Sequence, residues 1–199
     1  MQYFKYGQIE TDHLTRQDER LGSIILKYGK LNRRINPNAF QSLIQSIIAQ
    51  QISSQAASTV YKRMEALVKK VGPREIAEAK AEEIQKCGMT HRKVTYIKGI
   101  AQAVIERKLD LSQLPQMPDE NAIKMLTALP GVGRWTAEML LLHALERPNI
   151  FSYDDLIIRR SLRQLHDLSH LNKEQFRVFK DRYSPYGSVA MIYLWQHGK

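Results

Sequence analysis

Two groups of residues in this chain have the types and spacing for chemistry. The first is the hairpin Pro130-Gly131-Val132-Gly133, followed at once by Arg134. Glycine lets a backbone adopt positive φ and come close to another surface. The amides of Gly131, Gly133 and Arg134 fall at the start of a following helix, where they lack intrahelical partners and the helix dipole adds positive potential. Such a place holds an anion, phosphate above all. The carbonyls on the other side, those of Thr127, Leu129 and Val132, suit a small cation. An ordinary αα-corner also favours proline and glycine, and a bare PGxG does not separate the two. The longer string LPGVGRWTA (Leu129–Ala137) is more specific and points to a nucleic-acid backbone, with Gly131, Val132, Gly133, Arg134 and Thr136 as the contact set. Contacts of that kind position a protein without reading sequence.

The second group is the acidic pair Asp154-Asp155, which opens a basic segment. Ser152 as N-cap with Asp155 as the reciprocal acid of a capping box explains the pair without any chemistry. Yet the dipole that stabilises an aspartate in a first helical turn also keeps it ionised, which suits a residue that must stabilise positive charge. Arg159 and Arg160, one turn on, either hold phosphates or complement the acids.

Around these groups the chain reads as helical nearly throughout. Phe40, Leu43, Ile44, Ile47 and Ile48 share one helical face, and the segment from Gln50 to Ser54 interrupts it before a helix resumes from Ala56 to Leu67. Short helices are expected over Pro73–Ala79, Ala81–Cys87 and His91–Glu106. Leu111 to Pro118 reads as a linker, and Asp119 is placed to cap a helix reaching Ala128. After the hairpin come helices over Arg134–Leu145, Asp155–Leu168, Glu174–Tyr183 and Val189–Trp195. There is no run of alternating strands, no repeat and no low-complexity segment. The fold class is all-α.

Composition bounds the partners. The 199 residues suit one domain or two lobes, and 43% are hydrophobic, enough for a core. A formal charge of +10 points to a polyanion, although a solvated basic surface explains it equally well. No apolar run approaches the about 20 residues needed to cross a bilayer, and no secretory signal is visible, so the expected compartment is intracellular: cytoplasm or nucleoid in a bacterium, the nucleus in a eukaryote. Cys87 is the single cysteine, which excludes an internal disulfide and an iron–sulfur cluster. The histidines, among them His91, His143 and His166, form no compact ligand motif.

With LPGVGRWTA followed by Asp155 twenty positions after Trp135, the chain resembles the helix–hairpin–helix superfamily of DNA glycosylases, and within it the 3-methyladenine DNA glycosylase II (AlkA-like) branch. Three more stretches carry the likeness: FQSLIQSIIAQQISSQAA (Phe40–Ala57), KVTYIKGIA (Lys93–Ala101) and SPYGSVAMIYLW (Ser184–Trp195). Together they extend the resemblance from about Tyr6 to Trp195. It implies two helical lobes, residues 36–147 with the hairpin and residues 1–35 with 148–199, and an active-site cleft between them that places Trp135 opposite Asp155. Relatives carry an N-terminal sheet domain, so this chain is expected to be a minimal catalytic core.

The resemblance also assigns roles. The family's catalytic aspartate falls on Asp155, not Asp154. Trp135 stands where bifunctional members carry a lysine nucleophile, so strand cleavage is not expected. Trp135, Trp195 and Met139 line the base pocket, and Gln51 is the wedge that fills the gap left by a flipped nucleotide. Core packing explains either tryptophan as well. Met139 replaces a pocket tyrosine, and Gly187 an arginine, of some relatives.

The implied reaction is base excision. A nucleotide carrying an alkylated purine (3-methyladenine, 7-methylguanine) is flipped out of the duplex at a cost of a few kcal/mol. Its cationic base stacks on tryptophan, and Asp155 stabilises the oxocarbenium-like sugar or orients the attacking water. No catalytic cofactor is needed. A structural monovalent cation, sodium or potassium, is expected at the hairpin carbonyls. The partners are alkylated DNA and a downstream abasic-site endonuclease, with no membrane, and the chain is expected to be monomeric. The alternatives are a non-catalytic helix–hairpin–helix DNA-binding module, which needs neither Asp155 nor an aromatic pocket, and a glycosylase for other damaged bases.

Overall fold

The computed structural model describes residues 2–198. It consists of helices with one two-residue antiparallel pairing, β1 (Gln2–Tyr3) with β2 (Arg34–Ile35), in the register Gln2↔Ile35 and Tyr3↔Arg34. The all-α expectation holds. Among the described residues, no helix is long and apolar enough to cross a membrane. The chain divides into two compact units, Asn36–Leu140 and Met1–Ile35 with Leu141–Lys199. The division after Leu140 falls inside a helix, α9 (Arg134–Leu145).

The unit Asn36–Leu140 contains α3 (Ala39–Ala49), α4 (Ser54–Val68), α5 (Pro73–Glu78), α6 (Ala81–Lys86), α7 (His91–Ile105), α8 (Asp119–Thr127) and the start of α9 (Arg134–Leu145). The face of α3 read from spacing is its buried face: Phe40, Leu43, Ile44, Ile47 and Ile48 are all in the core. Asn38 and Ser53 cap α3 and α4 by accepting the amides of Gln41 and Ala56. Helix α5 has Pro73 in its first turn, where the missing N–H costs nothing. The Lys98 ammonium of α7 closes the other end of α5 by donating to the carbonyls of Ile76, Ala77 and Ala79. Two local expectations change. The N-cap of α8 is Pro118 and Asp119 is already helical. The expected linker contains a short 3-10 turn, Leu111–Gln116, whose Leu114 is fully buried.

In the other unit, α1 (Gln8–Gln17) and α2 (Glu19–Tyr28) lie between β1 and β2, and α10 (Leu156–Leu165), α11 (Lys173–Tyr183) and α12 (Gly187–His197) follow α9. Helix α10 stops three residues short of the expected Leu168, with His166 as its C-cap. Helix α12 is apolar all round and buried from Gly187 to Trp195, as expected of a helix with no solvent face. It packs against α2 and α10. Asp18 ties three elements together. As N-cap of α2 it accepts the amides of Arg20 and Leu21, and its other oxygen accepts the Tyr183 hydroxyl at 2.6 Å and faces His166 Nε2 at 3.2 Å. Burial pushes this carboxyl up, but the bonds from His166, Tyr183 and Leu21 outweigh it and hold the group well below the usual carboxylate range.

Candidate active site and nucleic-acid interface

The hairpin sits between α8 and α9 as its sequence predicts. Gly131 has φ +82°, and a Cβ built there would lie 2.1 Å from the Tyr96 ring, so conformation and close approach both demand glycine. Val132 donates its amide to Leu129 O at 3.1 Å, closing the turn. Thr127, Leu129, Gly131, Val132 and Gly133 line a cavity of about 510 Å³ together with residues of α7 and of the α3–α4 turn, including Lys93 and Gln51. Gly131, Val132 and Gly133 of the expected contact set, the three residues of the expected cation site and the expected wedge Gln51 therefore line one polar hollow, whereas Arg134 and Thr136 do not.

Two members of the expected contact set have other commitments. Arg134 is held by Glu120 at 2.6 Å and by Glu138 at 3.0 Å, which leaves its backbone amide, rather than its guanidinium, as the group for an anion. Thr136 is buried, and its hydroxyl lies 3.2 Å from the Gln50 side-chain amide. It supports the hairpin from within. Gln51 is exposed in the α3–α4 turn and has φ +59°, a left-handed conformation unusual for a residue with a side chain. Two neighbours hold this turn. Gln50 Nε2 donates to Gly131 O at 2.9 Å, and Lys93 Nζ donates to the carbonyls of Ile48 and Gln50 at 2.8 and 2.6 Å.

Asp155 belongs to the other unit. Ser152 was the expected helix cap, but it is fully buried and lies before the turn. Asp155 itself caps α10, with Oδ1 accepting the amides of Ile157 and Ile158 at 3.0 and 3.1 Å. The reason is geometric: residues 153–154 form a turn, so the first residue able to reach the free amides is Asp155. Its Oδ2 accepts the Trp195 indole N–H at 3.0 Å, and the residue is 5% exposed. Asp154 is exposed. The structure thus separates the pair into one solvated acid and one buried carboxylate held at both oxygens.

Trp195 is surrounded by protein groups. The Arg33 guanidinium carbon lies 4.5 Å from its ring centre, and His143 stacks on it at 5.9 Å with the planes 14° apart. Burial pulls the Arg33 guanidinium below its ordinary value, and the charge of Asp155 opposes that shift. Burial, with Arg33 alongside, pushes His143 down to about 3. His143 is therefore neutral, and because guanidinium has only donors, the Arg33 Nη2 to His143 Nε2 contact at 3.5 Å makes Nε2 the acceptor. A flipped base that used this ring would share it with Arg33. Trp135 is half-buried and Met139 buried, in the first two turns of α9.

Gly187 fits tightly. A Cβ there would lie 3.1 Å from Ile150 O, so an arginine with the same backbone would force the 148–151 turn to move. Arg33, His143, Gln50 and Lys93 carried no role in the sequence. Lys93 stood in a stretch already singled out, but only the fold brings its amine to the end of α3.

The model of the HhH-GPD superfamily of base excision DNA repair proteins matches residues 44–181. DNA-3-methyladenine glycosylase 1 of Schizosaccharomyces pombe is 30% identical, over 94% of this chain and 86% of its own length. A DNA-3-methyladenine glycosidase from Bacillus halodurans has a similar solved structure (TM-score 0.84, 32% identity, all of this chain and 93% of that one). So does the S. pombe 3-methyladenine DNA glycosylase Mag1, determined in complex with abasic DNA (TM-score 0.84, 28% identity, 95% of this chain and 96% of that one).

Proposed function

Because this chain belongs to the HhH-GPD superfamily of base excision DNA repair proteins, we infer that it is a DNA glycosylase for alkylated bases. It hydrolyses the N-glycosidic bond of a flipped purine, 3-methyladenine and by the same chemistry 7-methylguanine, and leaves an abasic site. The observation that carries this reading is Asp155: a buried carboxylate fixed at a helix N-terminus by three N–H donors, in the position the family's sequence pattern reserves for catalysis.

Methylation at N3 or N7 puts positive charge on the base, so departure needs little acid help. The barrier lies in the charge that develops on the sugar. A carboxylate held rigidly in a site shielded from water stabilises that charge without reorganising as it forms, and it can orient the attacking water. Trp135 carries no amine to form a Schiff base, which supports hydrolysis without strand cleavage. The hairpin amides grip the backbone, Gln51 fills the place of the extruded nucleotide, and the half-buried Trp135 offers its ring to the base. Carbonyls of Thr127, Leu129 and Val132 belong to residues of the hairpin hollow, which supports a sodium or potassium ion there. The enzyme acts as a monomer on DNA, and its product passes to an abasic-site endonuclease.

The test is release of free 3-methyladenine from methylated duplex DNA by the wild type and Asp155→Asn. Asparagine caps a helix as well as aspartate does, so this variant removes the charge and keeps the cap of α10, while its NH2 replaces the oxygen that accepts the Trp195 indole N–H; unfolding measured alongside separates that loss from the loss of charge. Its rate should fall about 100-fold or more, with duplex affinity retained. Undiminished release would reduce Asp155 to a helix cap. No release by a folded, DNA-binding wild type would reject the 3-methyladenine assignment.

A further inference from the structure

The α3–α4 turn presents Gln51 to solvent in a conformation that a residue with a Cβ adopts at a cost, so something must hold it. The final carbonyls of α3 are orphaned by helix geometry and carry the negative end of its dipole. The sequence supplies no glycine at this helix end. In its place the half-buried Lys93 sends its ammonium from α7 to the carbonyls of Ile48 and Gln50. Burial lowers its pKa. Gln50 itself, between those carbonyls and Gln51, reaches the other way and binds Gly131 O and the Thr136 hydroxyl. One cation thus closes the helix, and one amide sews the resulting turn to the hairpin. Gln51, Lys93 and the hairpin line the same hollow.

We propose that Lys93 is a positioning residue for base extrusion: by capping α3 it holds the Gln51 turn in register with the hairpin, so that gripping the backbone and inserting the wedge are one rigid operation. This rests on the reading of Gln51 as the wedge. In this role Lys93 acts through the turn, with two of its three donors placed on backbone carbonyls. Its contribution is to spare the complex the ordering of that turn at the moment the nucleotide leaves the stack, when unstacking already costs free energy.

The experiment compares wild type, Lys93→Met, Lys93→Arg, Gln51→Ala and the Lys93→Met/Gln51→Ala double variant. Three quantities are read: affinity for duplex DNA, fluorescence of 2-aminopurine placed at the position to be extruded, and the rate of 3-methyladenine release from methylated duplex. Loss of bonds from a charged donor corresponds to about tenfold in rate. Lys93→Met should therefore lower both release and the fluorescence rise about tenfold, with duplex affinity changed far less. Lys93→Arg, which keeps a cation at the carbonyls, should restore most of the signal, and the double variant should be no slower than Gln51→Ala. Wild-type fluorescence and release in Lys93→Met would overturn the proposal, as would losses that multiply in the double variant. Should Lys93→Met fail to fold, Gln50→Ala severs the other tie and must show the same loss of extrusion. The wedge reading fails separately, if Gln51→Ala alone behaves as wild type.

Discussion

Trp195→Phe is a selective perturbation of the Asp155 site. It keeps an aromatic ring for Arg33 and His143, deletes the N–H that reaches Asp155 Oδ2 at 3.0 Å, and trims the indole to a single ring, so Trp195→Leu serves as the control for lost ring volume. A hydrogen bond to a charged acceptor contributes about 1.5–3 kcal/mol, and a buried acceptor that loses its donor sits at the upper end of that range. With Asp155 5% exposed, water replaces the indole poorly. The expected loss of unfolding free energy is about 2–3 kcal/mol. If about half of that energy fixes the orientation of the carboxylate, single-turnover release of 3-methyladenine falls about tenfold. Urea unfolding is best followed by far-ultraviolet circular dichroism, because the substitution removes a fluorophore. Trp195→Leu, which also removes the ring beneath Arg33 and against His143, should cost more on both measures. Wild-type stability and rate in Trp195→Phe would refute the claim that the indole holds Asp155. Lost stability with an unchanged rate would leave the bond structural.

Two further outcomes follow from the geometry. His143 is neutral in the folded protein with a pKa of about 3, whereas the unfolded chain protonates it near its ordinary 6.5. The unfolded state therefore binds more protons over that window, and stability falls as pH drops from 6.5 toward 3. For this half-buried ring the slope should be about 1 kcal/mol per pH unit. His143→Gln should flatten unfolding curves between pH 6.5 and 5, above the range in which Asp18 titrates, and an unchanged slope would contradict the assignment. Gly131→Ala forces a Cβ into the Tyr96 ring at positive φ, so it should destabilise the protein by more than about 1 kcal/mol. It should also weaken duplex binding in fluorescence anisotropy, and wild-type affinity would show that the hairpin backbone does not grip DNA.

Much of this protein was legible in contiguous residues. The buried face of α3, the break between α3 and α4 and the hairpin before α9 all follow from periodicity and turn chemistry, which act over a few neighbours, whereas the wedge role of Gln51 came from the family resemblance. The preference for Asp155 over Asp154 came from the family pattern, and the structure places Asp155 in the buried, capped position. The same local reasoning misplaced the cap of α10, because Ser152 satisfies the pattern while the actual backbone turn continues to residue 154.

What the tertiary structure decided are the partners. Trp195 meets Asp155 across 40 residues, Gln50 meets Gly131 across 81, and Arg33 meets His143 across 110. No propensity encodes such pairs. A lysine at position 93 is locally an ordinary helical surface residue, and a histidine at 143 has an ordinary pKa. Burial beside a guanidinium makes one neutral, and the end of a neighbouring helix makes the other a cap. Local sequence sets which backbone groups are left unpaired; only packing determines which distant side chain arrives to satisfy them.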